Sequence, residues 1–336
     1  MTNTIRIYHF YLIIPLFFIM SFAAAEEEDS KYFTFTFEND VFVGEDNGYT
    51  NGIGLTFGQG PFLDFNSENT PNWLHWLTQD WYINQMEGKT RGIANMFFQR
   101  MQTPEEITTD TLIEDDLPYV GLLAWQGTMY AWDENVSDQL SFYLGVVGPV
   151  ALGEESQKLV HGALGSDEPL GWDNQIGNEI VAKVELQRVW NLFRTESDGL
   201  QFDLLGLAGF GVGNFQSAAK AGFAMRWGKN LQRSFPTFSL QADRQVNPLA
   251  LSPSNDFYFF AGMRGGYLAN DIFIDGNTFK DSHSVPIEHI QNDASAGVVW
   301  NIGRYGFVFQ VSSSTSKTTL ISEREKFGAF SFTYRH

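Results

Sequence analysis

Apolar and polar residues alternate with a period of two in several segments of this chain. Phe33, Phe35 and Phe37 fall on one face of a strand, Thr34 and Thr36 on the other. Leu140, Phe142, Leu144 and Val146 repeat the pattern, as do Phe257, Phe259 and Ala261, and Tyr305, Phe307, Phe309 and Val311. The last strand alternates Phe330, Phe332 and Tyr334 with Ser331, Thr333 and Arg335. Successive side chains on a strand point to opposite faces, so each such segment has one apolar and one more polar face. Strands are expected near 31–39, 50–59, 90–101, 119–132, 138–148, 178–192, 200–211, 218–228, 256–268, 287–302, 305–316 and 325–335. Strands that are apolar outside and polar inside are what a membrane barrel requires, and single-chain bacterial barrels carry even strand numbers. The expected fold is all-β, a transmembrane antiparallel β-barrel of about twelve strands with long extracellular loops. A large soluble sandwich or propeller is the alternative, but no blade-length repeat is present.

The first residues fit export. Arg6, an apolar run from Tyr11 to Phe22 and Ala23-Ala24-Ala25 read as a signal peptide over 1–25, with the barrel over 26–336. No later segment is apolar over the roughly 18 residues that a spanning helix needs. There is no cysteine, which excludes disulfides, thiolate metal sites and a Cys nucleophile. A net charge of −19 argues against nucleic acid as a partner, because phosphate contacts need a basic surface. Acidic loops favour divalent cations instead.

Loops divide by length. Short turns such as 132–138 and 301–305 suit the periplasmic side. Connections at 60–89, 102–118, 149–177, 229–255 and 269–286 are expected on the outer side. Loop 60–89 carries Trp73, Trp76 and Trp81, with Leu74 and Leu77 at helical spacing. It reads either as a small cap on the barrel or as an aromatic, lipid-facing surface.

His161 is the leading candidate for chemistry. It stands near the end of a helix expected over 153–164, with Asp167, Glu168 and Trp172-Asp173-Asn174-Gln175 following. Imidazole is the side chain best suited to general-base work near neutrality. A lone His is more often a surface residue, so its acidic company carries the argument. His283 and His289 flank Pro286 with no metal-ligand pattern, and there is no Gly-x-Ser-x-Gly elbow, Walker motif or dinucleotide fingerprint. An enzyme built on these residues would use an activated water.

Several motifs occur in a fixed order: Phe37-Glu38-Asn39-Asp40, Gly48-Tyr49-Thr50-Asn51-Gly52, Asp115-Asp116-Leu117-Pro118-Tyr119-Val120-Gly121, and Gly148-Pro149 through His161 to Gly171-Trp172-Asp173-Asn174-Gln175. Together they resemble the LpxR family, outer-membrane lipid A 3′-O-deacylases. The resemblance implies a twelve-stranded barrel in the bacterial outer membrane and a calcium-dependent carboxylic ester hydrolase. Its substrate would be lipid A, or lipopolysaccharide, in the outer leaflet, and a monomer is expected. By motif, the resemblance assigns catalysis to His161, Asn39, Asp40 and Thr50, and Ca²⁺ ligation to Asp40, Asp167 and Thr50, with Asp167 at the position of a family Glu. Two other readings stand beside it: an acyl hydrolase acting on phospholipid, and a non-catalytic barrel serving as pore or surface-binding protein.

The sequence departs from the family pattern in one region. Where some relatives carry a basic pair after the third strand, Thr103-Pro104-Glu105-Glu106 to Glu114-Asp115-Asp116 is acidic, and Leu117 stands where many have Arg. Binding of lipid A phosphates then falls to Lys89, Arg91 or Arg100, or to bridging cations.

Overall fold

The computed structural model describes residues 31–39, 49–66, 68–164, 166–239 and 254–336. The expected signal peptide lies outside these residues. Twelve antiparallel strands close into one barrel, each paired with its neighbour in sequence and the last with the first. They are β1 (Lys31–Asn39), β2 (Tyr49–Phe62), β3 (Thr90–Gln102), β4 (Val120–Trp132), β5 (Val136–Val147), β6 (Glu179–Ser197), β7 (Leu200–Gly213), β8 (Gln216–Gly228), β9 (Ser254–Asp271), β10 (Ile290–Gly303), β11 (Tyr305–Ser314) and β12 (Glu325–Arg335). Among the described residues no helix is long and apolar enough to cross a membrane.

The period-two pattern sets which side of the wall each residue takes. Phe35, Leu55, Phe57, Phe97, Leu144, Phe210, Phe223 and Phe309 are exposed on the outer surface. The inner face is lined by hydroxyls that bond across strands, Thr34 to Thr333 at 2.8 Å, Thr36 to Ser331 at 2.9 Å and Thr128 to Ser141 at 2.8 Å. A one-residue slip would send every one of these hydroxyls into lipid, so the pattern fixes the register.

The lumen is filled. After β8 the chain turns inward through α4 (Leu231–Ser234) and a 3₁₀ turn at Phe235–Thr237. Leu231, Phe235 and Phe238 are buried against Leu205, Tyr258 and Phe260. Ser137 Oγ donates to the Pro236 carbonyl at 2.6 Å. Arg226, fully buried, donates to both carboxylate oxygens of Asp203 at 3.0 and 2.6 Å, to Ser234 Oγ and to the Leu231 carbonyl. Towards the opposite end, a cavity of about 100 Å³ is lined by Arg100, Lys183, Glu185, Lys220, Arg264 and Asp293 among others. Its cations are drawn into ion pairs, Lys220 and Arg264 with Asp293 at 2.7 and 2.9 Å, and Lys183 with Glu185.

Strand parity corrects two loop assignments. The connections after β2 and β8 emerge at the same end as the short turns after β4, β6 and β10, because every second crossing returns the chain to that end. Residues 63–89 and the described part of 229–253 therefore lie at the turn end, not the outer end. Segment 63–89, with α1 (Asn72–Thr78) and α2 (Tyr82–Gln85), does not cap the barrel mouth. It packs on the outside of the wall, with Phe65, Leu74 and Ile83 buried against Ile93, Met129, Ala131 and Leu140. The outer end carries the loops 103–119, 148–178, 272–289 and 315–324.

Asp203 is the acceptor on which the plug's Arg226 depends. Removing one partner of a buried pair leaves an uncompensated charge. Asp203→Ala is expected to lower stability by about 3–5 kcal/mol. Replacing both Asp203 and Arg226 with apolar residues should recover most of the loss; urea titration of refolded protein in lipid vesicles measures both.

Candidate active site

His161 is carried by α3 (Gly153–Leu164), which matches the expected helix. Glu154 and Glu155 lie in its first turn, where the positive end of the helix dipole favours them. Lys158 donates to Glu154 at 2.7 Å one turn away, and that hydrogen bond holds the ammonium above its ordinary pKa. The helix is rooted on the outside of the barrel wall at β3 and β4. Its foot comes so close to β4 that a Cβ on Gly121 would stand 3.2 Å from Gly153 Cα, and a Cβ on Gly153 would stand 2.6 Å from the Trp172 ring. Glycine at both positions is what permits this contact.

Four hydrogen bonds seat the helix and the turn before it. Gln99 Nε2 donates to the carbonyls of Ala151 and Leu152 at 2.7 and 3.1 Å, and Gln99 Oε1 accepts from Ser156 Oγ at 2.8 Å. Buried Gln157 accepts from Trp172 Nε1 at 2.7 Å. Trp172 in turn packs on Tyr119, with ring centroids 5.0 Å apart, and on Met101. Loop 103–119 joins the assembly through Leu170 N–H to the Ile107 carbonyl and Asn174 Nδ2 to the Asp110 carbonyl, both at 2.8 Å.

His161 itself is half-buried, and its Nδ1 lies 2.7 Å from the main-chain carbonyl of Asp167. A carbonyl only accepts, so Nδ1 carries the proton and donates. Neutral imidazole then presents Nε2 as a lone pair, the form that a general base requires. The group at position 167 that meets the imidazole is thus the main-chain carbonyl. The Asp167 carboxylate is exposed and does not meet the imidazole through any hydrogen bond among the described residues.

The other predicted site residues are placed as follows. Glu38, Gly52, Arg100 and Leu122 form one row across β1 to β4, with Glu38, Arg100 and Leu122 buried on the inner side. Asn39 stands one residue above that row and so on the outer face, at the level of Met101 and Gly121, where α3 is rooted. It is buried. Thr50 lies in β2, at an irregularity in the pairing with β3, and only its backbone placement is described. Asp40 lies outside the described residues. Among the described residues no three His, Asp or Glu side chains converge as a metal cluster. The Asp167 carboxylate and the Asn39 amide carry hard oxygen donors of the kind that suits Ca²⁺.

Two of the basic residues considered for phosphate binding are in the wrong place. Lys89 pairs with Asp133 at 2.5 Å, and Arg91 donates to the carbonyls of Leu63, Asn84, Met86 and Lys89, all at the turn end. Arg100 is at the right height but faces the lumen. Leu117, at the position where many relatives have Arg, is buried against Ile274 and Val285 and ties two outer loops together. The acids of loop 103–119 largely serve the loop. Asp116 accepts the N–H groups of Glu105 and Leu117, and bonding from Thr108 holds Glu106 below the ordinary carboxylate range.

The model of the family described as "Outer membrane protein LpxR" matches residues 12–336. The chain belongs to the LpxR family. Like the family, it is a protein of the bacterial outer membrane. Among solved structures it is similar to LpxR from Salmonella typhimurium, with a TM-score of 0.76 at 13% identity over 90% of this chain and 99% of that one. At this identity the likeness shows the fold. It is more distantly similar to the β domain of the Bordetella autotransporter BrkA, with a TM-score of 0.42 at 10% identity over 91% and 98% of the two chains. No curated protein sequence matches the chain.

Gln99 was not among the residues singled out from sequence, although one signal was present: it is an amide on the outward face, two residues from exposed Phe97. Gln99→Leu removes both carbonyl bonds and the Ser156 bond at the foot of α3. Cleavage by trypsin after exposed Lys158 is expected to rise by roughly tenfold, the equivalent of about 1.4 kcal/mol of local stability, with the barrel unchanged.

Proposed function

We propose that this protein is a lipid A 3′-O-deacylase, an outer-membrane ester hydrolase in which His161 activates water. The observation that carries the reading is the bond between His161 Nδ1 and the Asp167 carbonyl, which leaves Nε2 as the base. Family membership supplies the substrate class, and the position of α3 on the outer wall supports it. A group rooted there reaches a lipid in the surrounding leaflet without drawing it into the barrel.

In the proposed reaction, Nε2 takes a proton from water as its oxygen adds to the ester carbonyl. The imidazolium then returns the proton to the departing sugar oxygen, releasing a free 3′-hydroxyl and the carboxylic acid. Asn39, on the outward row beside the root of α3, orients the imidazole or donates to the oxyanion. Asp40, Asp167 and Thr50 would hold Ca²⁺, which would supply Lewis-acid polarisation of the ester carbonyl. Hydrolysis of a phospholipid acyl ester uses the same chemistry and remains the second reading of the substrate. The filled lumen argues against a pore.

Mass spectrometry of lipid A from cells expressing the chain should show loss of the 3′ acyloxyacyl group. His161→Ala should reduce that product by about 10²–10⁴-fold, the usual contribution of a general base, while the barrel stays folded. Chelation of divalent ions should abolish activity, and calcium should restore it. Unchanged lipid A alongside hydrolysed phospholipid would move the assignment to the second reading.

A further inference from the structure

The outward belt at the turn end of the barrel is aromatic around much of its circumference. Trp227, Trp300, Tyr305 and Tyr334 are exposed there, with Phe257, Phe259 and Phe332 packed among them. Such girdles sit at the boundary between hydrocarbon and water. The belt is missing on the sector from β3 to β5, where the corresponding outward residues are Ile93, Met129, Ala131, Asp138 and Leu140. Segment 63–89 covers this gap. Arg91 ties it down through four of its carbonyls, and Leu74 and Ile83 are wholly buried beneath it.

The other face of the segment is apolar and uncovered. Trp73, Trp76 and Leu77 share one side of α1 at spacings of three and four residues. They are 51%, 72% and 39% exposed, and Leu63 nearby is 78% exposed. Trp73 also meets Trp125 of β4, with ring centroids 5.5 Å apart, so the segment climbs the wall. It does not hang below it.

We propose that residues 63–86 form a membrane-embedded apron, with the Trp73/Trp76/Leu77 face of α1 seated in the lipid leaflet at the turn end. The face is continuous with the lipid-facing girdle on either side and supplies the aromatic residues that β3 to β5 lack. Its occupant is the interfacial region and upper acyl chains of bilayer phospholipid. The inference rests on the barrel's place in the membrane and does not depend on the reaction proposed for His161.

The absence of cysteine allows a direct test with single-site labels. Trp76→Cys and, as a water-exposed control in the turn after β4, Glu134→Cys would each be labelled with a polarity-sensitive fluorophore. The proteins would be refolded into phosphatidylcholine–phosphatidylethanolamine vesicles, with folding checked by circular dichroism. Trp76 is mostly exposed, so its replacement removes little packing. The proposal expects blue-shifted emission at position 76. Quenching there should be several-fold stronger with nitroxide on the lipid than with aqueous iodide, and the reverse should hold at 134. Iodide-dominated quenching at both positions would overturn it, since the face would then lie in water. Nitroxide quenching that falls as protein is raised relative to lipid, with cross-linking between labelled positions, would also overturn it and assign the face to a second copy. A Leu63→Cys label repeats the measurement if Trp76→Cys fails to fold.

Discussion

Within a bilayer the backbone has no water to bond to, and each unpaired N–H or C=O costs several kcal/mol. The pairing of β1 with β12 removes the last two free edges. Tyr32 to Asn39 meet Arg335 to Gly328 in continuous antiparallel register. This seam holds the chain's two extremes together, and it fixes the height of everything else. Asn39 lies at the level of Met101 and Gly121 only because the register carries round from β1 through β2 and β3 without slipping on the inner row. A barrel that closed one residue out of register would turn Phe33, Phe35 and Phe37 into the lumen and send Thr34 and Thr36 into lipid.

Closure also divides the molecule into two chemical compartments. Inside, ion pairs and hydroxyl ladders fill the space between the plug at one end and the cavity at the other, so the lumen acts as a core. Outside, the wall is smooth and apolar except where an added segment packs against it. Among the described residues two segments do so, at opposite ends and over overlapping strands. α3 is seated through a close glycine contact and the Gln99 amide, the apron through apolar burial and the Arg91 guanidinium. Both solve the same problem, holding a short helix against a strand surface, and both use a polar side chain on the outward face to bond loop carbonyls.

The strands were readable because lipid and a polar lumen impose the period of two on nearly every residue. All twelve expected segments are present, with ends moved by a few residues. α3 was readable from its composition between two glycines. The sides of the loops were not read correctly from length, although counting would have sufficed. The connections after β2, β4, β6, β8 and β10 share one end, and the short turn at 133–135 already fixed which end that was. Length misled because Leu74, Trp81 and Ile83 pack on the wall and Phe235 and Phe238 fill the lumen. Long loops at a turn end are unusual unless they have surface to bury. At the candidate site, the helix carrying His161 was expected and Asp167 was read for its carboxylate, as a Ca²⁺ ligand; the bond from His161 to the Asp167 main-chain carbonyl was not anticipated. A backbone carbonyl carries no side-chain signature, so no pattern of residue types could have shown that bond.

The charge of the outer end bears on how an anionic lipid would be met. Of the outer-end cations, Lys158 is paired with Glu154, Lys280 is bonded to the Asn178 carbonyl, and Arg324 to the carbonyls of Asn292 in β10 and Ser313 in β11. Leu117 is committed to the apolar contact between loops 103–119 and 272–289. With Glu105, Glu114, Asp115, Asp167, Glu168 and Asp173 all exposed, the rim is acidic. A phosphorylated lipid approaching such a surface would be repelled unless a divalent cation lay between them. Bridging by cations is therefore the arrangement that reconciles the proposed substrate with this rim. It would also tie substrate binding to divalent-ion concentration by a route separate from any ion held beside His161.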